Sequence, residues 1–592
     1  MKKYFIITII FIISICGFLL YPRSVNNAIL ISKNGKTAQF YIDGKLKTFK
    51  ITDSYSKYSV LNFKYNIFYT FSFKIQTPNK ERVMAKSDDS FDFEKSGNKK
   101  LAKNTYFYKI DKYNNISTAK ITDLIVGQSN LESYKDKSGN MSVFIISPVN
   151  YSTMRVGIST TNYLSIFHDK ITLSCLSSSK LYSIRDSFSI NLSAGTSVTI
   201  EFINKGLRLT ANGSSKLLKN RLYLNGTASI TSIIRGSEEF TPSYSGTLEF
   251  MPFNDGISII NELNMEDYLS KVVPSEMTSN SNIEALKCQA IAARTYAISD
   301  MLKNIYPAYG FYVVDSIQSQ VYNNEPEVSS TTSAVNSTKG TIMTYNDKPI
   351  DARYYSTSAG AGASYKDMWY NSDWSGEDIP YLTAQSYLNT KASLPKNEND
   401  WLSFYKNENI DSLDTSSDFF RWKVVFSYKS ITNSLSKSLR NIYLSDPDYI
   451  TFYKNDKKLK AFPDLVNLKD IKVLKRGSSG NVMEVSFIYD NVTVNVKGDY
   501  NIRGAFRCSE DYTSESTPIV RSKGKALKNT NFLLSSYFSI EKDKKNYTIY
   551  GGGYGHGVGM SQTGSVILAN QGKKYQDILN YYYKGIKLDK AY

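Results

Sequence analysis

The sequence predicts an α+β protein: a β-rich, multi-domain ectodomain with one helix that carries the candidate chemistry, preceded by one N-terminal transmembrane helix. Three patterns indicate this fold class: an apolar run at 4–21, short β-branched and aromatic runs between 29 and 254, and helical periodicity at 282–303. The chain has 592 residues, 41% hydrophobic and 21% charged. Such a length suits about three to four domains of about 150 residues, and the composition excludes a disordered or collagen-like chain.

The N-terminal segment has the pattern of a membrane anchor. Lys2 and Lys3 precede an almost uninterrupted apolar run from 4 to 21. About 17 to 25 apolar residues span a bilayer as a helix, and lysines mark the cytoplasmic side. The sequence therefore predicts a single-pass protein of the cell membrane whose remaining residues lie on the extracytoplasmic face.

Two alternatives for this segment stay open, a cleaved signal peptide and a lipoprotein signal. A signal peptide needs a cleavage site of small residues, but Tyr21, Pro22 and Arg23 follow the run. A lipoprotein signal would use Cys16, which lies in the middle of the run after Ile15. An uncleaved anchor is the favoured interpretation.

The chain is strongly basic and poor in metal-binding side chains. It contains 72 Lys and Arg against 54 Asp and Glu, a formal net charge of +18, with four Cys and two His. A basic exported protein meets anionic wall polymers, lipid headgroups or peptidoglycan rather than nucleic acid, and the sequence contains no nucleic-acid-binding motif. The cysteines include no CxxC pair, which excludes a zinc ribbon or a disulfide scaffold.

Between 25 and 254 the sequence has the pattern of consecutive short strands separated by Asp-Gly, Pro-Asn and Ser-Gly-Asn turns. His168, in one of these runs, is interpreted as a structural histidine. The predicted strands include 37–42, 60–73, 105–110, 141–146, 154–158, 197–203 and 222–230. The predicted domains are 1–24 (cytoplasmic stub and anchor), 25–150 (β-rich accessory domain), 151–254 (a second β-rich part) and 255–592 (the region of the candidate site).

The first strong helical pattern lies at 282–303. Ser281 and Glu284 have the spacing of a capping box, and apolar residues recur at helical intervals behind them. Lys287 and Arg294 are seven residues apart, about two turns, so we expect them to point in the same direction. A solvated face, or an ion pair with Glu284, is the alternative interpretation of these cations.

Glu276 is the candidate acid. Pro274 disfavours helical structure at the residue before it, so Glu276 is expected between a forced break and the helix at 282–303. The positive end of a helix would lower the pKa of this carboxyl and desolvation would raise it, and only the second effect gives a general acid. A carboxyl with Lys287 and Arg294 on the adjacent face suits a sugar polymer.

A glycine-dense segment lies at 551–562. Alternate glycines remove side chains where a polymer must approach the backbone, and the polar side chains left to contact it are those of Tyr554, His556, Ser561 and Gln562. His556 is expected to bond a sugar hydroxyl or to orient the carboxyl, and a packing turn with a structural histidine is the alternative. Tyr582, further along between Tyr581 and Tyr583, offers an aromatic face for a sugar ring, and packing in the core is the alternative.

These blocks resemble a known family. The segments NELNMEDYLSKVVPSEM and IEALKCQAIAARTYA, with GGGYGHGVGMSQTG and YQDILNYYYKGI, are similar to the stage II sporulation protein D family of cell-wall lytic transglycosylases and amidase enhancers. The resemblance covers roughly residues 150 to 590. It implies cleavage of peptidoglycan glycan strands between N-acetylmuramic acid and N-acetylglucosamine without water, leaving a 1,6-anhydro end, on strands stripped of stem peptides during engulfment.

The resemblance also implies roles for individual residues and partners. Glu276 is implied as the catalytic acid/base, and the sporulation amidase machinery is the implied partner. The candidate substrate-binding residues are Lys287, Arg294, Tyr354, Ser356, Tyr554, His556, Gln562 and Tyr582. One carboxyl suffices when the C6 hydroxyl of the sugar attacks, whereas hydrolysis normally uses two.

Two features depart from the family. Some members carry a zinc site around a Tyr-x-Ser-x-x-Gly block, but here that block, 353–362, contains neither His nor Cys, so we predict no zinc and no cofactor. The stretch 25–150 lies outside the family core and is a spacer or a docking module. Two other functions stay open: a non-catalytic glycan-binding enhancer of a cell-wall amidase, and a structural wall protein.

Overall fold

The structure is a computed structural model that describes residues 20–236, 239–389 and 393–592. The predicted membrane helix at 4–21 lies almost entirely outside these ranges. Within them, no helix combines the length and the apolar character needed to cross a bilayer. The protein is mixed α+β and β-rich, as predicted.

The described chain forms two compact units. One consists of 20–275, 300–326 and Tyr592, and the other of 276–299 and 327–591. The predicted domain boundaries at 150 and 254 stay a prediction.

The first unit is built mainly from four sheets in its described part. In spatial order, the first contains Lys45–Lys50, Thr37–Ile42, Arg23–Asn34, Val60–Tyr65 and Thr70–Ile75, and the second contains Leu131–Lys135, Met141–Ile146, Gly97–Ile110, Ser90–Phe93 and Val83–Lys86, with Ile116–Ala119 on the long strand. The third contains Phe188–Leu192, Ser179–Ser183, Leu222–Asn225, Thr247–Pro252, Ile257–Asn264, Thr153–Ile158 and Val313–Val314, with Phe167–His168 on the fifth of these. The fourth contains Ser214–Leu218, Gly206–Ala211, Ser197–Ile203, Lys170–Cys175, Ala228–Ile230 and Ser243–Tyr244.

Side-chain alternation explains why these segments are strands. In Thr37–Ile42, Ala38, Phe40 and Ile42 are buried, while Thr37 and Gln39 are exposed. The predicted strands at 60–73 and 222–230 each divide into two strands, because a turn interrupts each run. His168 is buried, and its Nε2 lies 2.9 Å from the carbonyl oxygen of Ile158, consistent with a structural role.

A buried ion-pair network runs through the first unit. Arg155 pairs with Glu249 at 2.8 Å and with Glu262, and Arg221 pairs with Glu249 and, at 2.9 Å, with Asp92. Asp92 belongs to the 25–150 stretch and its partners to later sheets. The network therefore attaches that stretch to the rest of the unit.

The α-helices of the described chain are α1 Met265–Glu276, α2 Ile283–Lys303, α3 Ser329–Ser337, α4 Tyr365–Met368, α5 Glu398–Lys406, α6 Tyr428–Ser445, α7 Asp499–Ala505, α8 Glu510–Thr513, α9 Gln562–Asn570 and α10 Tyr575–Tyr582. Short 3₁₀ helices lie at Ile121–Asp123, Thr161–Tyr163 and Pro447–Tyr449.

The second unit contains smaller sheets and most of these helices. Its larger sheets are Ile519–Arg521, Trp422–Ser427, Asn546–Gly551 and Phe538–Lys542, and Lys457–Lys458, Ile450–Lys454, Thr493–Lys497, Val482–Tyr489 and Leu468–Arg476. The smaller ones are Lys348–Pro349, Thr341–Tyr345 and Lys587–Lys590, Tyr354–Tyr355 with Met560–Ser561, and Ala361–Gly362 with Gln385–Ser386.

One hydrophobic core of the second unit forms around α6. Ile431, Leu435, Leu439 and Ile442 recur at helical spacing and are all buried against the sheets. The side chain of Ser427 caps the helix by accepting a hydrogen bond from the amide of Ser430.

The segment before α2 differs from the prediction. Pro274 lies inside α1, which continues to Glu276, so the expected break at the proline is wrong. Tyr268, Leu269, Val272 and Val273 of α1 are buried, and their burial outweighs the cost of a proline near the helix end. Glu276 therefore lies at the C-terminal end of a helix.

The start of α2 also differs in detail. The amide of Glu284 donates to Oδ1 of Asn282 at 3.0 Å, so Asn282 supplies the cap. Ser281, the predicted cap, shares a hydrogen bond with the hydroxyl of Thr278 at 3.0 Å.

Candidate functional site

Glu276 and Tyr354 form the centre of the candidate site. The hydroxyl of Tyr354 donates to Oε1 of Glu276 at 3.0 Å, and both side chains are partly exposed. The sequence named both residues but gave no reason to expect a direct bond. A carboxyl that is held in one orientation and still reaches solvent can exchange a proton with a bound molecule.

The glycine-dense segment meets Tyr354 through a short parallel pairing. Tyr354 pairs with Met560 and Tyr355 with Ser561, and the amide of Met560 donates to the carbonyl oxygen of Arg353 at 3.1 Å. Gly559 has φ +78°, and a Cβ atom there would lie 2.0 Å from that same carbonyl oxygen. A glycine at 559 is thus required by packing between the two blocks, which supports the packing interpretation of this position.

Gln562 supports Glu276 from the other block. Its Nε2 donates to the backbone carbonyl of Glu276 at 3.1 Å and to Oε1 of Gln289 at 3.3 Å. Gln562 is the first residue of α9, whose cap is the side chain of Ser561. Gln562 therefore fixes the backbone of the candidate acid.

A cation lies beside this centre. Nη1 of Arg353 donates to the hydroxyl of Tyr296 at 3.0 Å, and its guanidinium lies 4.9 Å from the Tyr296 ring centroid and 5.0 Å from that of Trp369. The Tyr296 ring packs edge-on to Tyr354, with centroids 6.4 Å apart. Asp351 pairs with the guanidinium at 2.9 Å. The site thus contains a held arginine that is partly exposed.

His556 packs against Trp369, which also contacts the Arg353 guanidinium, and against Tyr355. Its ring lies 5.0 Å from Trp369 and 5.7 Å from Tyr355, and its Nδ1 accepts from the amide of Val558 at 3.1 Å. Burial and the nearby Arg353 guanidinium lower the pKa of His556 to about 3. The imidazole is therefore neutral near pH 7, with Nδ1 as an acceptor.

The two predicted cations of α2 are engaged elsewhere. Nζ of Lys287 pairs with Glu284 at 2.8 Å, which is the alternative that the sequence left open. Arg294 is fully buried, and its guanidinium donates to the carbonyl oxygen of Thr341 at 3.0 Å and to that of Val335 at 3.4 Å. These contacts give Arg294 a structural role.

The remaining predicted residues differ in exposure. Tyr554 is 40% exposed and packs on Phe419, with centroids 4.8 Å apart. Ser356 is partly exposed, and its carbonyl accepts from the amide of Thr563 at 2.9 Å. Tyr582 is buried against Tyr387, with centroids 5.7 Å apart, so its ring packs in the core instead of facing a ligand.

Sequence reasoning missed Gln289 and Tyr296, which lie on α2 next to Glu276 and Tyr354. They are seven residues apart, the same spacing as Lys287 and Arg294. The same helical periodicity applies to Gln289 and Tyr296, but neither side chain carries a charge that marks its face of the helix in the sequence.

A buried aspartate was also missed. Oδ2 of Asp414 accepts from the hydroxyl of Ser561 and from the amide of Ser358, both at 2.6 Å. Burial raises the pKa of Asp414 despite these bonds. Asp414 therefore joins the two blocks through the buried Ser358 and Ser561, and no sequence pattern marked it.

The block at 353–362 does not have the donors that zinc prefers. Apart from Arg353, its polar side chains are hydroxyls, with Thr357 bonded to Ser417 at 3.1 Å and to Thr563 at 2.9 Å. Within the described ranges, no group of three or more His, Cys, Asp or Glu is arranged to hold a metal ion. The expected absence of zinc stays a prediction.

Comparison with known proteins places the central part of this site in a family. Residues 253–345, which include Glu276, Gln289 and Tyr296, match the family model SpoIID, described as stage II sporulation protein. Residues 253–345 form a SpoIID-family domain of this chain. Residues 369–559 match a second model, a domain of unknown function (DUF8618).

Three relatives extend the SpoIID match. An amidase enhancer of Bacillus subtilis is 29% identical over 322 residues, which cover 54% of this chain and 40% of that protein. The stage II sporulation protein D of Bacillus subtilis is 26% identical over 349 residues, and that of Bacillus amyloliquefaciens 24% over 346 residues, each match covering 56% of this chain and 76% of the relative. The similarity thus spans less than half the length of the amidase enhancer.

Proposed function

We propose that this SpoIID chain is a peptidoglycan lytic transglycosylase in which Glu276 is both acid and base. The observation that carries the proposal is the 3.0 Å hydrogen bond from Tyr354 to the partly exposed Glu276 carboxyl. The substrate is a glycan strand without stem peptides, cleaved between N-acetylmuramic acid and N-acetylglucosamine during sporulation.

The proposed reaction needs one carboxyl. Protonated Glu276 donates its proton to the glycosidic oxygen as the bond from that oxygen to C1 of the muramyl sugar breaks. The C6 hydroxyl of the same sugar then forms the new bond to C1, and its proton passes to the Glu276 carboxylate. The acid is regenerated, no water is consumed, and the product carries a 1,6-anhydro end.

The neighbouring residues have distinct roles in this scheme. Tyr354 donates to Oε1 and stabilises the carboxylate that exists between the two proton transfers. Gln562 fixes the Glu276 backbone. Arg353, held by Tyr296, is a cation for polar groups of the sugar. Membrane attachment through the segment at 4–21, with the site on the extracytoplasmic face, belongs to the same proposal.

The test is product analysis with the full chain in detergent. Amidase-stripped glycan strands are incubated with the protein, and anhydro-ended fragments are measured by mass spectrometry. Glu276→Gln should abolish these products while strand binding is retained. Glu541→Gln, a partly exposed carboxylate paired with Lys406, is the control and should retain full activity. An active Glu276→Gln protein would overturn the role of this residue.

The similarity to an amidase enhancer favours a second candidate, a glycan-binding enhancer of a cell-wall amidase. In that case the protein would stimulate an added sporulation amidase equally well with Glu or Gln at 276, and no anhydro ends would form. Amidase stimulation is measured on peptide-bearing peptidoglycan and anhydro ends are measured on stripped strands, so two parallel assays separate the two functions.

A further inference from the structure

The first sheet of the first unit has an exposed apolar turn. The strands Val60–Tyr65 and Thr70–Ile75 form a hairpin, and its turn consists of Asn66, Ile67, Phe68 and Tyr69. Ile67 and Phe68 are each 61% exposed, and Tyr69 is 72% exposed. Single exposed apolar residues are ordinary on a protein surface, whereas contiguous large ones mark an interaction site. Residues 66–69 are called the aromatic tip below.

The backbone of the aromatic tip is held by its own hydrogen bonds. Oδ1 of Asn66 accepts from the amide of Phe68 at 3.0 Å and from that of Tyr69 at 2.9 Å. The amide of Asn66 donates to the carbonyl oxygen of Tyr69 at 2.9 Å. These bonds satisfy polar groups of the turn within the turn itself. The tip can therefore enter an apolar environment without leaving those groups unpaired.

The aromatic tip lies beside the residues that follow the apolar run at 4–21. Arg23 is opposite Tyr65 in the antiparallel pairing, and Tyr65 directly precedes the tip. Only Pro22 separates Arg23 from Tyr21, the last residue of the run. With the run in a bilayer, as the proposed function has it, the tip reaches the surface of the same bilayer.

The chain around the tip is positively charged. Residues 21–76 contain nine Lys and Arg and two Asp. Lys64 is exposed two residues before the tip, and Lys50 is exposed on the strand whose end bonds to Thr70, the residue after the tip. Each Lys or Arg near an anionic lipid surface strengthens attachment about fivefold. The charge of this part of the chain therefore complements anionic lipids.

The two aspartates lie further from the tip along the chain. Asp43 is in the turn between Thr37–Ile42 and Lys45–Lys50, and Asp53 follows the second of these strands. Oδ2 of Asp53 accepts from the hydroxyl of Tyr55 at 3.0 Å. Two carboxylates against nine cations leave the net charge of 21–76 strongly positive.

We propose that the aromatic tip inserts into the headgroup region of a bilayer of anionic lipids, with Lys50 and Lys64 bound to lipid phosphates. This inference rests on the membrane attachment in the proposed function and adds a second contact beside the end of the apolar run. Tyr69 suits this depth because its ring is apolar and its hydroxyl is polar. Two contacts hold the first unit in one orientation, whereas a single anchor leaves it free to rotate.

A bilayer fits the tip better than a glycan strand or a second copy of the chain. A glycan strand needs hydrogen-bonding groups beside each aromatic ring, but the Asn66 side chain is used within the turn. A second copy carries the same positive charge around its tip, and that charge opposes pairing of two tips.

The test places an environment-sensitive fluorophore on the tip. The full chain is labelled at Phe68→Cys and reconstituted into phosphatidylglycerol nanodiscs, with Cys16→Ser to restrict labelling and with Cys175, Cys288 and Cys508 buried. Lipids with a nitroxide just below the headgroup, or at the end of the acyl chain, quench the fluorophore. We expect blue-shifted emission and stronger quenching by the shallow nitroxide, because interfacial segments are buried about 5 to 10 Å into the headgroup boundary.

Lipid charge separates contact from proximity, because the anchor keeps the tip near any disc. Quenching should be weaker in phosphatidylcholine discs. Lys50→Gln with Lys64→Gln should weaken quenching in phosphatidylglycerol discs and leave it unchanged in phosphatidylcholine discs. Ile67→Ser with Tyr69→Ser should weaken quenching in both, since the apolar part of the contact does not depend on lipid charge.

Matched controls lie elsewhere on the first unit. Tyr113 is 73% exposed and follows a different strand, next to Asn114, whose carbonyl oxygen accepts from the hydroxyl of Tyr58 at 2.6 Å. Tyr58 precedes Val60–Tyr65, at the end about 20 Å from the tip, so a label at Tyr113→Cys should be neither shifted nor quenched. Lys103→Gln with Lys137→Gln removes two other exposed lysines and should leave tip quenching as in the parent. All substituted side chains are exposed, so thermal unfolding should match the parent.

Several results would overturn the proposal. Equal quenching of the tip in the two kinds of disc would do so, as would quenching at Tyr113→Cys as strong as at the tip. A blue shift without lipid quenching would assign the tip to a second copy where it grows with protein concentration. The same shift on addition of stripped strands in detergent would assign the tip to glycan.

Failure of the proposed function is visible separately. Missing anhydro products with a quenched tip would remove the reaction and leave this inference standing. A chain that does not remain with the discs would remove the membrane attachment and the tip contact together. A retained chain with an unquenched tip would remove the tip contact alone.

Discussion

The hydroxyl of Tyr354 lies 3.0 Å from Oε1 of Glu276, although 78 residues separate the two in sequence. This bond orients the carboxyl and stabilises its ionised form. Hydrogen bonds to charged groups contribute about 1.5 to 3 kcal/mol. Tyr354→Phe should therefore lower kcat about 10- to 100-fold with a small change in KM, measured as the release of anhydro-ended fragments.

Tyr113→Phe is the control for this substitution. Tyr113 is 73% exposed in the first unit, so loss of its hydroxyl should leave kcat unchanged. A Tyr354→Phe protein with normal kcat would show that the orientation of Glu276 does not depend on this bond.

Substitution of Arg294 should lower the free energy of unfolding more than substitution of Lys287, because Arg294 is buried and Lys287 is at the surface. Arg294→Ala leaves the carbonyl groups of Thr341 and Val335 without these donors and opens a cavity, at a cost of about 3 kcal/mol. Lys287→Ala breaks an ion pair with Glu284 and should cost less than about 1 kcal/mol. Urea unfolding of the two proteins gives both values, and equal losses would contradict the structural role of Arg294.

For the α2 helix, the sequence predicted the bounds but not which face lies toward the site. Its bounds were predicted within one residue, because apolar periodicity and a polar cap both act locally. Its functional face was not found, since α2 is buried on nearly every side and charge no longer marks the exposed face. Only the fold shows that Gln289 and Tyr296 point toward the site.

The other residues around Glu276 also include some that the sequence identified and one that it did not. The block containing Gln562 was identified by its alternate glycines and the block containing Tyr354 through the family resemblance, and the structure brings both to Glu276. The sequence did not identify Asp414, because one aspartate in a polar stretch has no local pattern that predicts its burial. Its role depends on two long-range bonds, to Ser358 and Ser561.

Gly559 should be far less tolerant of substitution than Gly572, although both have positive φ. A Cβ at Gly559 would lie 2.0 Å from the Arg353 carbonyl oxygen, whereas a Cβ at Gly572 would meet no atom within 4 Å. Gly572→Ala should cost about 1 kcal/mol for the left-handed backbone alone. Gly559→Ala should also separate the paired blocks at Tyr354 and Met560, lowering the melting temperature further and reducing product release.

The melting temperature and the rate of product release of the two alanine variants test this prediction. If both alanine variants melt and react alike, the contact between Gly559 and the Arg353 carbonyl does not hold the site together.

His556 should not titrate in the range usual for histidine. Burial and the Arg353 guanidinium hold the pKa of His556 at about 3, so the ring is neutral from about pH 5 to 8. Proton NMR of the full chain in detergent should show ring signals of His556 that do not shift over this range, assigned by their loss in His556→Gln. A titration midpoint near the ordinary value of about 6.5 would show that the ring is hydrated and accessible.

Acid should weaken the first unit through Glu249. Burial acts to raise the pKa of this carboxyl, but the ion pairs with Arg155 and Arg221 outweigh burial and hold the pKa at about 2, against 4.5 for an unperturbed glutamate. A depressed pKa adds stability that is fully present above about pH 4.5 and is lost as the pH falls toward about 2. The linked free energy is about 3 kcal/mol, so Glu249→Gln should destabilise the protein at neutral pH and flatten the decline between those pH values. Glu132→Gln is the control, because its partly exposed pair with Lys80 contributes less than about 1 kcal/mol. Urea unfolding of this variant at stepwise lower pH should give the same acid slope as the parent protein.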